Sequence, residues 1–497
     1  MLKKPVLSLL LFLLAVVSAS AQSISGKVVN EQNEPIAYAT IQLKDDYGVI
    51  SNSEGEFTLV LPKEPGGKVT ISFLGFESLE IPVSEFSEKT YVLQEKVTEL
   101  DQVVVSNRQL NADEIVEKMI TTAPELHSTS NHEQLFFMRD QNDQQLLDFV
   151  FEIDKASQSS RKDLREINAG IEQLTRSIKD SRFKFFTEYY GQHLQWEDSS
   201  KLRVQKAVIL KDRDRDISAE EITKKLVNTV RPYLEKEATY KVKTGIIKIE
   251  DSLKTDEIFD QDIDSLKGKT KYVKGNLRWR LKEHNEFFKN EELDFLQKMN
   301  RYNYVLEGYA DIGGEPVYII RFDPERSSAA FAGKMYIHMF DYGMMRLEYE
   351  MLEGEKMQNV NLKFLLGIKY REDRIRVISE FRKNEAGKYY LKFGRRSSGE
   401  YAYISRPLKF IKNRTNRSDD RQVFKMDFTF ELDNYSTSEI YIAGNNDMNE
   451  SDFRAFETQE NFEPIETEVY DATLWEGYNI IAPIEDIKNY GRNADLQ

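Results

Sequence analysis

The chain has 497 residues, with 69 Lys and Arg against 84 Asp and Glu, a formal charge of −15, and 40% apolar residues. That size and apolar content predict two or three cored domains, and the acidity argues against nucleic acid as a partner. Because the chain has no cysteine, disulfides, thiolate metal sites, a cysteine nucleophile and a cysteine-linked lipid anchor are excluded.

At the start, Lys3-Lys4 precede an apolar run from Val6 to Val17, and Ala19-Ser20-Ala21 supplies small residues for cleavage. This order predicts a signal peptide over 1–21, cut before Gln22. The run is shorter than the ~20 residues of a spanning helix, and no comparable run follows. An exported protein with no transmembrane helix is therefore expected, periplasmic or associated with the outer membrane.

Residues 22–94 read as a small β-sandwich. Ser23 to Val29 begins it, and Ala37 to Leu43 is rich in β-branched and alternating residues. A turn at Asn52-Ser53-Glu54-Gly55 leads to Phe57, Leu59 and Leu61 on one face of a strand that Pro62 ends. Gly66-Gly67 turns the chain into Val69, Ile71 and Phe73; Ile81-Pro82-Val83 and Tyr91-Val92-Leu93 complete a seven-strand pattern. Between Gln22 and Ser106 there are fourteen acidic residues against six Lys and no Arg, so this module is not a nucleic-acid binder.

The segments Gly26-Lys27-Val28, Pro35 to Ile41, Asn52 to Phe57 and Ile71 to Phe76 resemble the carboxypeptidase regulatory-like domain. This is a transthyretin-type sandwich found at the front of envelope proteins of Bacteroidetes-type bacteria. Leu100-Asp101-Gln102-Val103-Val104-Val105 is similar to the segment that follows this domain in TonB-dependent receptors. The resemblance implies a non-catalytic interaction or folding module.

A linker is expected over 95–111, followed by a mixed α/β region over 112–236. Its first helix starts near Ala112, with Ile115, Met119 and Ile120 on one face and Pro124 as its stop. Strands are expected at Leu135 to Met138 and at Leu146 to Ile153. Leu164, Ile167, Ile171, Leu174 and Ile178 repeat at helical spacing, and Ser218 with Glu221 forms a capping box for a helix with Ile222, Leu226 and Val230 inward.

From 237 to 497 the hydrophobic period is two, predicting a large antiparallel sheet, flat or curved as a half-barrel. The strands fall at Tyr240-Val242, Ile246 to Ile249, Tyr304-Leu306, Val317 to Phe322, Lys334 to Phe340, Leu362 to Ile368, Ile375 to Phe381, Tyr389 to Phe393 and Val423 to Leu432, with Gly313-Gly314 and Asn384 to Gly387 as turns. The fold class is thus mainly β with an α+β middle. Too few strands remain for a membrane barrel.

The stretches Val242 to Ile247, Tyr304 to Pro324, Phe331 to Ile337 and Leu474 to Tyr478 resemble uncharacterised exported proteins that carry the regulatory-like domain in front. The middle two are also similar to the open half-barrel of periplasmic lipoprotein carriers. That likeness implies a concave face sheltering acyl chains, which Met335, Ile337 and Met339 would line.

No residue pattern singles out catalytic chemistry. His127, His132, His193, His284 and His338 lack the H-E-x-x-H and His-x-x-Glu spacings of a zinc peptidase, and are expected as surface or packed residues. Asp212, Asp214 and Asp216, and likewise Asp260, Asp262 and Asp264, alternate as calcium ligands do. Both runs lack the Gly and Glu of an EF-hand loop and read as solvated loops. Ser159 with Lys162 and Ser181 with Lys184 match S-x-x-K without companion motifs. No catalytic, cofactor or metal residue is assigned. The sequence supports a non-enzymatic envelope binding or assembly protein, its partner a protein, glycan or lipid, with a lipid or lipoprotein carrier as the alternative.

Overall fold

The structure is a computed structural model describing residues 23–44, 47–96, 111–127, 131–211, 227–236, 238–245, 247–255, 268–414 and 422–492. The expected signal peptide, most of the linker, both aspartate runs, and the capping box at Ser218 and Glu221 lie outside the described residues.

Seven strands form the N-terminal module: β1 (Ser23–Val29), β2 (Thr40–Lys44), β3 (Tyr47–Ile50), β4 (Glu56–Val60), β5 (Lys68–Ser72), β6 (Leu79–Pro82) and β7 (Lys89–Val92). They make a three-stranded sheet, β4-β1-β7, facing a four-stranded one, β3-β2-β5-β6. The alternation in sequence places Val28, Phe57, Leu59, Val69, Ile71 and Tyr91 between the sheets as one core. The expected seven-strand sandwich is what forms.

Beyond the module come α1 (Ala112–Leu126), β8 (His132–Ala156), α2 (Arg161–Ile178), β9 (Arg182–Trp196), β10 (Ser199–Leu210), β11 (Thr239–Thr244), β12 (Ile247–Lys254), α3 (Thr270–Asn285) and α4 (Asp294–Gln297). The chain continues through β13 (Tyr302–Ile312), β14 (Glu315–Pro324), β15 (Phe331–His338), β16 (Met344–Met351), β17 (Gln358–Leu362), α5 (Lys363–Leu366), β18 (Ile368–Lys383), β19 (Tyr389–Lys412) and β20 (Val423–Asp447). It ends with α6 (Glu450–Ala455), β21 (Ile465–Thr467) and α7 (Glu485–Lys488).

One 14-stranded sheet collects all the later strands in the order β13-β14-β15-β16-β18-β19-β20-β8-β9-β10-β21, with β11, β12 and β17 alongside. It is not closed into a barrel. Strands from both sides of residue 237 contribute, so the sheet spans that expected boundary. Neighbours pair antiparallel except β10 with β21.

Three of the local expectations are corrected. The strands expected at Leu135 to Met138 and Leu146 to Ile153 are parts of the single 25-residue β8. Pro124 lies inside α1, not at its end; it removes one i→i−4 hydrogen bond, and the helix stops two residues later. Leu362 to Ile368 is not a strand but the bend between β17 and β18, turned by α5 and closed by Gly367 at φ +62°. There a Cβ would stand 2.1 Å from the Ser405 carbonyl oxygen.

The helices cover one face of the sheet. Phe136, Met138, Ile440 and Ile442 pack beneath α1, α3 and the 287–296 segment, in one core with Ile115, Met119, Val273, Leu277, Phe287 and Phe295. At Gly394 the sheet comes so close to α3 that a Cβ would meet the His284 ring at 2.6 Å. At the far end of β8, α2 lays Ile171 and Ile178 on Phe149, Phe151 and Ile153. Ser160 and Asp163 form a capping box at the start of α2. Ser160→Ala should therefore cost about 1 kcal/mol, seen as a lower thermal midpoint with unchanged far-UV circular dichroism.

Candidate functional site: the cleft between module and tail

Register places two rows side by side on the sheet face opposite α3. Tyr190, Phe137, Tyr441 and Phe393 are cross-strand neighbours over β9, β8, β20 and β19. Two residues along, the next row reads Glu188, Arg139, Glu439 and Arg395. The first row is an aromatic platform and the second alternates in charge.

The C-terminal segment lies on both rows. Trp475 meets Phe137 edge to face at 5.6 Å, and its indole donates to the Glu188 carboxylate at 2.6 Å. Arg139 lies 2.6 Å from Glu188 and 3.4 Å from Glu439, and donates to the carbonyls of Ile481 (2.9 Å) and Ala482 (3.2 Å). All three charged side chains are buried. Burial opposes its charge, yet the two glutamates hold the guanidinium above its ordinary pKa.

The module closes over this assembly. Tyr38 stacks on Phe393 at 4.7 Å, and the Tyr441 hydroxyl donates to the Gly48 carbonyl at 2.9 Å. Asn52 donates to the Pro483 carbonyl at 3.0 Å, the Asn479 side chain accepts from the Val60 amide at 2.8 Å, and Lys488 pairs with Glu56. Module and tail therefore enclose a cleft of about 760 Å³. Its module wall is the polar outer face of β4-β1-β7, including Ser25, Lys27, Thr58 and Thr90, and its tail wall holds Tyr470, Trp475 and Tyr478. Lys206 approaches the rings of Trp475 (5.4 Å) and Tyr478 (5.0 Å), and burial lowers its ammonium pKa. Hydroxyls, charged side chains and ring edges along its walls suit hydrogen bonding and stacking against a polar polymer.

The residues weighed from sequence fall elsewhere. All five histidines are buried, so none is a surface residue. Those of His127, His193 and His284 are pushed by burial down to about 3, and that of His132 to about 4. His284 of α3 and Ser379 of β18 are 2.7 Å apart, both buried where the helix packs on the sheet. His338 sits between Glu315 (2.9 Å) and Asp341 (2.7 Å). Burial opposes the Asp341 charge, but hydrogen bonds from His338, Lys383, the Gly343 amide and Tyr389 hold its carboxyl well below the usual range. Lys184 pairs with Asp486 and Lys162 approaches Glu166 at 4.0 Å, so neither S-x-x-K lysine is directed at its serine. Among the described residues no three His, Asp or Glu side chains gather as a metal site. Met335 and Ile337 lie in the core beside Phe295 and Phe331, while Met339 is half-buried.

Residues 24–105 match the CarboxypepD_reg-like domain family. The N-terminal module is a carboxypeptidase regulatory-like domain. No curated protein matches the chain. Among solved structures, a LolA superfamily protein from Nitrosomonas europaea is 10% identical, with 70% of this chain and 99% of that one covered and a TM-score of 0.16. A DUF1329 family protein from Desulfovibrio piger is 9% identical, with 64% and 92% covered and a TM-score of 0.15. MucB is 8% identical over the same shares, also with a TM-score of 0.15. Likenesses this distant say nothing about a ligand. The regulatory-like domain is thus a wall of the cleft, fixed to the body by the aromatic platform and the tail.

Proposed function

We propose that this is a non-enzymatic binding or assembly protein of the cell envelope, exported by its leader, that holds an extended peptide or glycan in the cleft between regulatory-like domain and tail. One observation carries this reading: the regulatory-like domain, whose resemblance implies an interaction or folding role, is anchored to residues more than 400 positions away, and the cleft exists only because of that docking. Polar groups on the module wall and aromatic rings on the tail wall supply orientation and contact area.

The test is binding of envelope glycan fragments and extended peptides to the protein and to Thr58→Arg, which fills the cleft from the module side. Thr58→Arg should weaken binding at least about tenfold, roughly 1.4 kcal/mol, with an unchanged thermal midpoint. Equal binding by both proteins, or none by either, removes the proposal. A carrier of lipid or lipoprotein would need space where Leu277, Phe287 and Phe295 now pack on Met335 and Ile337. It therefore requires α3 and the 287–296 segment to lift away. Phospholipid co-purifying at one mole per mole would favour that alternative.

A further inference from the structure

A second surface lies at the opposite extremity of the sheet, where two edge hairpins meet tip to tip beside β19. The Ser405 amide donates to the Gly367 carbonyl at 2.7 Å. Arg406 donates to the Thr244 hydroxyl at 2.8 Å and to the Leu366 carbonyl at 2.5 Å, so it joins the end of β11 to the bend between β17 and β18. Both outer strands, β12 and β17, are exposed along nearly their whole length.

Register makes this wing two-faced. On one side a row runs Phe149, Phe430, Ile404, Ile368, Leu362 across five strands, and beside it Leu432, Ala402, Tyr370 and Val360 form the next. α2 covers the inner end of this apolar face, but its outer end is open. Ile404 and Leu362 are each 38% exposed and Val360 43%. Past that end, the α5 turn holds Phe364 at 99% and Leu365 at 74% exposure. A phenylalanine wholly in water next to an exposed leucine, continuous with an uncovered apolar face, marks a contact surface.

Charge indicates which kind. The segments 243–249, 358–371 and 401–412 carry two, three and three Lys or Arg, and no Asp or Glu, within a chain whose net charge is −15. Four of these eight are already engaged, since Lys248, Arg371 and Lys412 pair with Asp251, Asp373 and Glu235, and Arg406 is held by Thr244 and Leu366. Lys363 and Lys369 instead lie over the rings of Tyr403 (3.8 Å) and Tyr401 (5.1 Å). Apolar side chains at the tip, tyrosines behind them and lysines around them reproduce the layering of a lipid surface: acyl boundary, interface, phosphate. Among the described residues no helix is long and apolar enough to cross a membrane, so contact through this wing is peripheral.

We propose that this wing is a membrane-contact site, in which Phe364 and Leu365 enter the outer acyl region of an anionic bilayer and Lys243, Lys363, Lys369 and Lys409 meet its phosphates. The site is separate from the cleft and does not depend on the reading given to it.

Co-sedimentation of the full chain with vesicles of phosphatidylglycerol and phosphatidylcholine, against phosphatidylcholine alone, tests it. The leader is common to every variant, so differences between variants report the wing. Phe364→Glu with Leu365→Glu should lower partitioning onto anionic vesicles by about tenfold or more. Lys363→Glu with Lys369→Glu should lower it similarly on anionic vesicles, and 0.5 M salt should abolish that second difference. Thr58→Arg should change nothing. All four altered positions are at the surface, and unchanged thermal midpoints check folding. Equal partitioning of wild type and Phe364→Glu/Leu365→Glu overturns the proposal. So does a wild-type dimer that this variant turns into monomers without vesicle binding by either, which would assign the surface to a second copy of the chain.

Discussion

Arg139→Ala is expected to lower the unfolding free energy by about 3–5 kcal/mol, because it leaves Glu188 and Glu439 buried with no cation between them. The loss has a second component, since the same guanidinium carries the Ile481 and Ala482 carbonyls. Without it the tail loses its hold on the sheet, and the regulatory-like domain loses one wall of its seat. Urea denaturation followed by far-UV circular dichroism and by tryptophan emission, with Trp196 and Trp279 replaced by Phe so that the emission reports Trp475, measures both. The emission transition should move to lower urea and separate from the global one, because the tail releases first. In a Glu188→Gln background the same substitution should cost less, as expected for members of one network. Coincident transitions at the wild-type midpoint would show that the buried row does not anchor the tail.

Acid should unfold the protein early. An ordinary histidine titrates near 6.5, but burial holds His127, His193 and His284 down to about 3 and His132 down to about 4. With folded values below unfolded ones, the unfolded chain takes up protons first. Stability is therefore full above about pH 6.5, and it falls as pH drops towards the folded values. Each of these histidines gives up roughly 2 kcal/mol by pH 5, so four together rival the ~5–15 kcal/mol of a whole domain. Asp140 and Glu283 oppose this: burial raises their pKa values, and their protonation relieves a buried charge as pH falls. The denaturation midpoint should drop steeply between pH 6.5 and 4.5. His193→Gln should flatten that slope, since the imidazole sits 6.0 Å from His132 with an unpartnered Nδ1. A midpoint constant down to pH 4.5 would contradict the buried neutral state.

How much of this was legible in the sequence depended on whether burial and chain order coincide. The module was readable because each strand is short, has one buried face and ends at a local turn. The helix α2 was readable for the same reason, its Leu164, Ile167, Ile171, Leu174 and Ile178 stripe being uninterrupted. From sequence β8 reads as two strands because Arg139 to Gln145 is wholly polar. In the fold that run is inside the sheet, with Arg139 neutralised by Glu188 of the neighbouring β9 and Asp140 by Arg280 of α3, and only the tertiary pairing reveals it. Likewise β9 and β10 were not anticipated. The cleft had no local signal, since its walls come from residues near 25–90 and 470–488; Leu474 to Tyr478 stood out only as a resemblance. In the wing, the apolar residues from Leu362 to Ile368 simulate a buried strand but mark an exposed bend.

The ties from Asn52 to Pro483 and from Val60 to Asn479 span 431 and 419 residues. A chain made from its amino end completes the regulatory-like domain hundreds of residues before its docking partner exists. Until the last segment arrives, Phe137 on the platform lacks the Trp475 ring that covers it, and that surface invites association with other chains. Assembly of the domain onto the body is thus a late step of high contact order, so any chain cut short before Trp475 presents that unpaired aromatic surface to its surroundings.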